Sequence, residues 1–202
     1  MTITVTMFMI ALICAISLYA ENNPQVKAKL ILNPYRTLRM KEYYRLLSSG
    51  FIHGGLNHLI FNMFTLYFFG EAVEQTIGAE WFIALFLIGI IVSDLPTFFK
   101  YKDLPHYNSL GASGGVSAIL FCSIVFDPIR GIGFIIFIPG FIFGAIYLIY
   151  SYYQSKRSND NINHDAHMYG ALFGILYAFI ASPALASQFL SRITDWITYM
   201  LS

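Results

Sequence analysis

The sequence predicts an all-α polytopic membrane protein, a single domain over residues 1–202 built on six spanning helices. Three observations predict it. Hydrophobic residues make up 57% of the chain and charged residues only 11%, against about 25% charged in soluble domains. The apolar residues gather into long blocks, most of them near the roughly 20 residues that cross a bilayer core. Short polar runs rich in Gly, Pro and charge separate those blocks. The lipid bilayer is therefore an expected partner. The net charge of +1 provides no electrostatic footprint for nucleic acid, which is not expected as a partner. Cys14 and Cys122 both lie inside apolar runs without metal-ligand spacing, so they read as packing residues, and no metal is expected.

The first block, 3–20, is apolar throughout and ends at Glu21-Asn22-Asn23-Pro24. A cleaved signal peptide ending near Ala20 is the alternative, but the block lacks a positively charged start and reads as the first spanning helix. Residues 21–50 form a long polar connection carrying six Lys and Arg residues, with tyrosines suited to the interface. A second helix is predicted over 56–73 and a third over 81–99, with Asp94 and Pro96 near its exit. The fourth, 112–126, is short: at about 1.5 Å per residue it reaches roughly 22 Å, less than the roughly 30 Å core. A turn at 127–131 precedes a fifth helix over 132–153, with Pro139 and Gly140 as its expected kink. A polar loop at 154–163 leads to a sixth helix over 165–182, and the tail 184–202 is amphipathic and expected to lie in the interface.

Six helices of alternating direction place the starts of the second, fourth and sixth on one side of the membrane. All five histidines fall on that side: His53 and His58 at the second helix, His106 and His164 in loops, His167 in the sixth helix. His58 and Asn62 are four residues apart and share a helical face. Polar groups at that depth are costly without partners, which makes them functional candidates, although interhelical hydrogen bonding is the plain alternative. The segment Gly111-Ala112-Ser113-Gly114 opens a helix whose first-turn N–H groups lack intrahelical acceptors. The motif alone is weak, since small residues also mark helix contacts. Gly170 and Gly174 form a GxxxG face shared by His167.

These parts fit a hydrolase. Ser113 is the candidate nucleophile and His167 its general base, later the acid for the leaving amine. The backbone N–H groups of Ser113 and Ala112 with the side chains of His58 and Asn62 are candidates to stabilise the oxyanion. Gly111, Gly114, Gly170 and Gly174 supply close helix approach. Asp165, two residues from His167, is expected to face elsewhere, leaving a Ser–His dyad.

The chain resembles the rhomboid family of intramembrane serine proteases over nearly its whole length. The matching pieces are Tyr44-Arg45, His53, His58-Leu59-Ile60-Phe61-Asn62, Gly111-Ala112-Ser113-Gly114 and Ala166-His167-Met168-Tyr169-Gly170 through Gly174. The resemblance implies a six-helix bundle with a short central serine-bearing helix, a serine endopeptidase acting through Ser113 and His167, and oxyanion stabilisation by His58 and Asn62. It further implies structural roles for Arg45, Glu74 and His53, no cofactor, and single-span transmembrane proteins as substrates, cut near small residues. Two positions depart from the pattern. Tyr44 stands where many relatives have tryptophan. Ser117 stands where many have a tyrosine packed on the catalytic histidine, which leaves His167 either less firmly oriented or held by another aromatic such as Tyr169.

Relatives open their site away from the cytoplasm, so a bacterial plasma membrane with an extracytoplasmic site is expected. The basic residues argue the other way, because all of the twelve Lys and Arg except Arg130 and Arg192 fall on the active-site side. Two rivals stand beside the protease. A catalytically silent rhomboid-like protein that binds membrane helices would be expected to lack Ser113 or His167. A small transporter would carry charges deep in several helices, and Asp94 is the nearest candidate.

Overall fold

The computed structural model describes residues 3–133, 137–157 and 162–202. Among these the chain is all-α apart from one two-residue hairpin. Its elements are α1 (Val5–Glu21), α2 (Pro24–Leu30), α3 (Pro34–Arg39), α4 (Arg45–Ser48) running into a 3₁₀ turn (Ser49–Phe51), α5 (Leu56–Ile77), α6 (Ala79–Tyr101) and α7 (Ser113–Phe126). The hairpin strands β1 (Gly131–Ile132) and β2 (Ile138–Pro139) follow, then α8 (Gly140–Arg157), α9 (His164–Ala181), α10 (Pro183–Ala186) and α11 (Phe189–Leu201).

The expected fifth helix is corrected at its start. Pro139 does not kink a helix; it ends β2, antiparallel to β1, and α8 begins only at Gly140. Proline holds its predecessor extended and brings no N–H to an i−4 carbonyl, which suits a strand end. Residues 134–136 of that expected helix, and 158–161 of the expected loop, lie outside the described residues; the helix itself continues through Arg157. Likewise α5 and α6 run past the expected ends at 73 and 99, to Ile77 and Tyr101, so Glu74 sits inside a helix.

The 21–50 connection is a folded layer rather than an open loop. Pro24 and Pro34 occupy helix starts, where a missing N–H costs nothing. Arg45, only 1% exposed, donates Nη1 to Ala28 O (2.9 Å) and Ile31 O (2.8 Å) and Nε to Glu42 Oε2 (2.6 Å). Its charge thus answers the carbonyl end of α2. Glu74 plays the complementary part at the start of α1: its carboxylate accepts from Val5 N, Thr6 N and Thr6 Oγ1 at 2.7–2.8 Å. That satisfies N-terminal donors and places negative charge at the positive helix end.

Helix α7 is the axis of the molecule. Every residue from Gly114 to Phe126 is buried, and α5, α6, α8 and α9 surround it. Small residues set the distances. A Cβ on Gly170 would stand 2.2 Å from Gly114 O, one on Gly174 2.1 Å from Ala118 O, and one on Gly115 2.8 Å from Phe86 O. Backbone therefore meets backbone on two sides of α7. By length and composition, α6 alone among the described helices is apolar and long enough to cross a membrane. Helix α9 with the α10–α11 tail qualifies as a pair bent by 115°, and α1 and α7 are apolar but shorter. One or two helices thus qualify by this measure, where the sequence reading expects six.

Candidate active site

The start of α7 is located by contacts from three directions. Leu32 and Ser109 form a β-bridge with hydrogen bonds of 3.0 and 2.9 Å, tying the segment before the serine to the 21–50 layer. Gly111 N donates to Ser49 O at 3.0 Å. Gly111 itself has φ +124°, and a Cβ there would lie 2.6 Å from His58 Cε1. Only glycine combines that backbone with that approach to the imidazole. Its role is thus to abut His58, while Gly114 abuts Ser93 and α9.

His53 completes the arrangement. The Ala112 N–H donates to His53 Nε2 at 3.4 Å, and Ser17 Oγ lies 3.2 Å from His53 Nδ1 and 3.1 Å from His53 N. One neutral tautomer, with the proton on Nδ1, satisfies all three contacts. The buried His53 thereby links α1 to the residue before Ser113. The same bond corrects one expectation: the Ala112 N–H is turned to His53, not toward an oxyanion.

On α9, Asn163 sets the N-terminus. Its Oδ1 accepts from Ala166 N (3.0 Å) and Thr97 Oγ1 (3.0 Å), and its Nδ2 donates to Ser109 Oγ (3.0 Å) and Asp94 Oδ1 (3.4 Å). Ser49 Oγ reaches the other Asp94 oxygen at 3.3 Å. This buried network joins α6, α9, the 21–50 layer and the segment before Ser113. Asp94 thus ties these elements together from inside the bundle. Sequence reading missed it because Asn163 and Asp94 are 69 residues apart and neither lies in a recognisable motif.

Ser113 and His167 line one cleft of about 300 Å³ together with His58, Asn62, Ser117 and Tyr147. Phe61, Val116, Leu120 and Phe143 supply its apolar lining. Asn62 is buried and donates one Nδ2 hydrogen to His58 O at 2.9 Å, which directs its carboxamide beside the cleft and leaves its second N–H for another acceptor. Asp165 is held by Lys100 Nζ at 2.9 Å, on the outer side of α9. The expected aromatic is corrected too. Tyr169 is 38% exposed, and the ring that stacks on His167 is Tyr147 of α8, with centroids 6.3 Å apart and planes 27° apart. His164 meets His167 edge-on at 5.9 Å.

The Rhomboid domain family model matches residues 40–184, from the 21–50 layer through α9. The chain belongs to the rhomboid family. Rhomboids are integral to membranes, and several relatives align with this chain. It is 26% identical over 145 residues to RHOMBOID-like protein 12, mitochondrial, of Arabidopsis thaliana, covering 63% of this chain and 43% of that protein. It is 31% identical over 138 residues to the human presenilin-associated rhomboid-like protein, mitochondrial, covering 65% and 36%. With the rhomboid relative YdcA of Bacillus subtilis it shares 25% identity over 141 residues, covering 69% and 67%. The matched region thus spans less than half the length of the mitochondrial relatives and about two thirds of the bacterial one. All of the cleft residues lie inside the matched span.

Proposed function

We propose that this rhomboid is an intramembrane serine endopeptidase that hydrolyses peptide bonds in or near the transmembrane segments of single-span membrane proteins. The observation that carries the reading is the convergence of Ser113, His167, His58 and Asn62, from three different helices, on one cleft. In this reading Ser113 Oγ attacks the scissile carbonyl carbon as His167 takes its proton. The carbonyl electron pair moves onto oxygen, where the Ser113 N–H, His58 and Asn62 stabilise it. The pair returns, the C–N bond breaks, and His167 protonates the departing amine. Water then repeats the sequence on the acyl-serine, releasing the acid and restoring Ser113.

The reading places α1, α5, α6, α7, α8 and α9 across the bilayer. The 22 residues of α5 and the 18 of α8 reach about 33 and 27 Å. The short α7 is shielded from lipid by its four neighbours. Its open end leaves the cleft where water can enter, which hydrolysis needs and lipid would forbid. We place the protein in a bacterial plasma membrane with the cleft on the extracytoplasmic side.

The test is cleavage of a single-span substrate by purified protein beside Ser113→Ala and His167→Ala. Loss of at least about 10³-fold in both variants is expected. Equal cleavage by all three, or none by wild type together with no fluorophosphonate labelling of Ser113, overturns the reading in favour of a helix-binding protein.

A further inference from the structure

Tyr147 is the one aromatic ring lying nearly parallel to the His167 imidazole among the described residues. It is also unusually well located for a residue on α8, whose buried residues are only Gly140, Gly144 and Ser151. Its ring packs on Phe121 of α7 (centroids 5.3 Å) and Phe143 of its own helix (6.0 Å). Its hydroxyl lies 2.7 Å from Ser117 Oγ. Ser117 is buried, and it is one helical turn beyond Ser113, on the same face of α7.

We propose that Tyr147, tethered by Ser117, is a positioning residue that fixes the plane of the His167 imidazole relative to Ser113. The proposal deepens the protease reading and rests on it. The χ2 torsion of an imidazole is broad, so a ring face packed against it narrows the planes it can adopt. Parallel aromatic contact at this separation lies within the range of favourable ring pairs. A wall made of a freely rotating tyrosine would fix little. The Ser117 bond removes that freedom, because it holds the hydroxyl end while Phe121 and Phe143 hold the ring. The nucleophile and the anchor of the base's wall thus share one face of one rigid helix.

The experiment reads His167 twice, in the full chain in detergent. Protein labelled with ¹³C-histidine gives ring resonances for five histidines, with His167 assigned from a His167→Gln sample. Cleavage kinetics separate kcat from KM. Tyr147→Ala is expected to shift and broaden the His167 signal and to lower kcat about tenfold with KM little changed, the signature of a misaligned catalytic group. Tyr147→Phe and Ser117→Ala keep the ring but release its tether, and are expected to move the same signal by less. They carry the test if Tyr147→Ala does not fold. Tyr169→Ala, close in sequence but turned outward, is expected to change neither readout. His167 resonances that stay at their wild-type positions in Tyr147→Ala, or in both tether variants, overturn the proposal. Because the resonances need no turnover, this outcome is distinct from a wild-type protein that fails to cleave, which overturns the protease reading instead.

Discussion

Gly170 and Gly54 make a matched pair for the role of small residues. Gly170 has no room at all, since its Cβ would overlap Gly114 O at 2.2 Å, while a Cβ on Gly54 would make ordinary contacts with Leu110 Cδ1 at 3.5 Å and His58 Nδ1 at 3.9 Å. Gly170→Ala is expected to push α9 from α7, costing about 1–3 kcal/mol and most of the activity. Gly54→Ala is expected to leave both near wild type. Thermal unfolding and a cleavage assay check the pair, and equal tolerance at both positions would refute backbone contact as the organising feature. Asn62 provides the second residue-scale prediction. If its remaining N–H serves the oxyanion, Asn62→Ala lowers kcat about 10²–10³-fold, whereas a purely structural Asn62 would lower the unfolding midpoint and leave kcat of the folded fraction intact.

At the scale of elements, two charged groups hold helix ends. Glu74 caps α1 from across the bundle, so Glu74→Ala strips three hydrogen bonds from one helix start. A loss of about 1–2 kcal/mol is expected, as for other helix caps, and it should appear as faster hydrogen exchange in α1 than in α6. The α2 end depends on Arg45 and, through it, on Glu42. Arg45, and then Arg36, hold the Glu42 carboxyl below its ordinary value of 4.5. A lowered folded pKa means that the carboxylate's contribution is fully present above that ordinary value and is lost as pH falls through the folded one. Exchange protection in α2 is therefore expected to hold from neutral pH down to about 4.5 and to fall below it. Glu42→Gln should abolish that pH dependence, and an unchanged profile in the variant would show that another group is responsible.

The whole molecule raises the question of orientation, where packing and charge disagree. A folded 21–50 layer buries Arg45 and pairs Arg36 with Glu42, Lys27 with Glu21 and Arg39 with Asp103, so part of the basic excess is neutralised locally. Acidic partners count for little in the positive-inside bias, so labelling decides the orientation. With Cys14 and Cys122 replaced by Ser, Asp103→Cys is expected to react with an impermeant maleimide in intact cells, and Asp195→Cys only after permeabilisation. The reverse pattern would turn the protein over. Much of this was legible in the chain. Continuous apolar blocks mark helices because a helix satisfies its own backbone in lipid, whereas barrel strands are shorter and alternate, and glycines beside Ser113 and His167 mark close approach because side-chain volume is a local property. Ser113, His167, His58 and Asn62 stood out as polar residues at helical spacing in apolar surroundings. The start of α8, the seat of the Ala112 N–H on His53, the Asn163–Asp94 network and the ring beside His167 were not legible. Each depends on which partner another part of the fold brings, and such partners, Tyr147 for His167 or Asp94 for Asn163, leave no period in the sequence. The sequence by itself determined most of the helices and the candidate reacting groups, because periodicity and residue chemistry are written locally. Only the tertiary structure decided which hydrogen bonds and ring faces meet those groups, because that choice is made by packing.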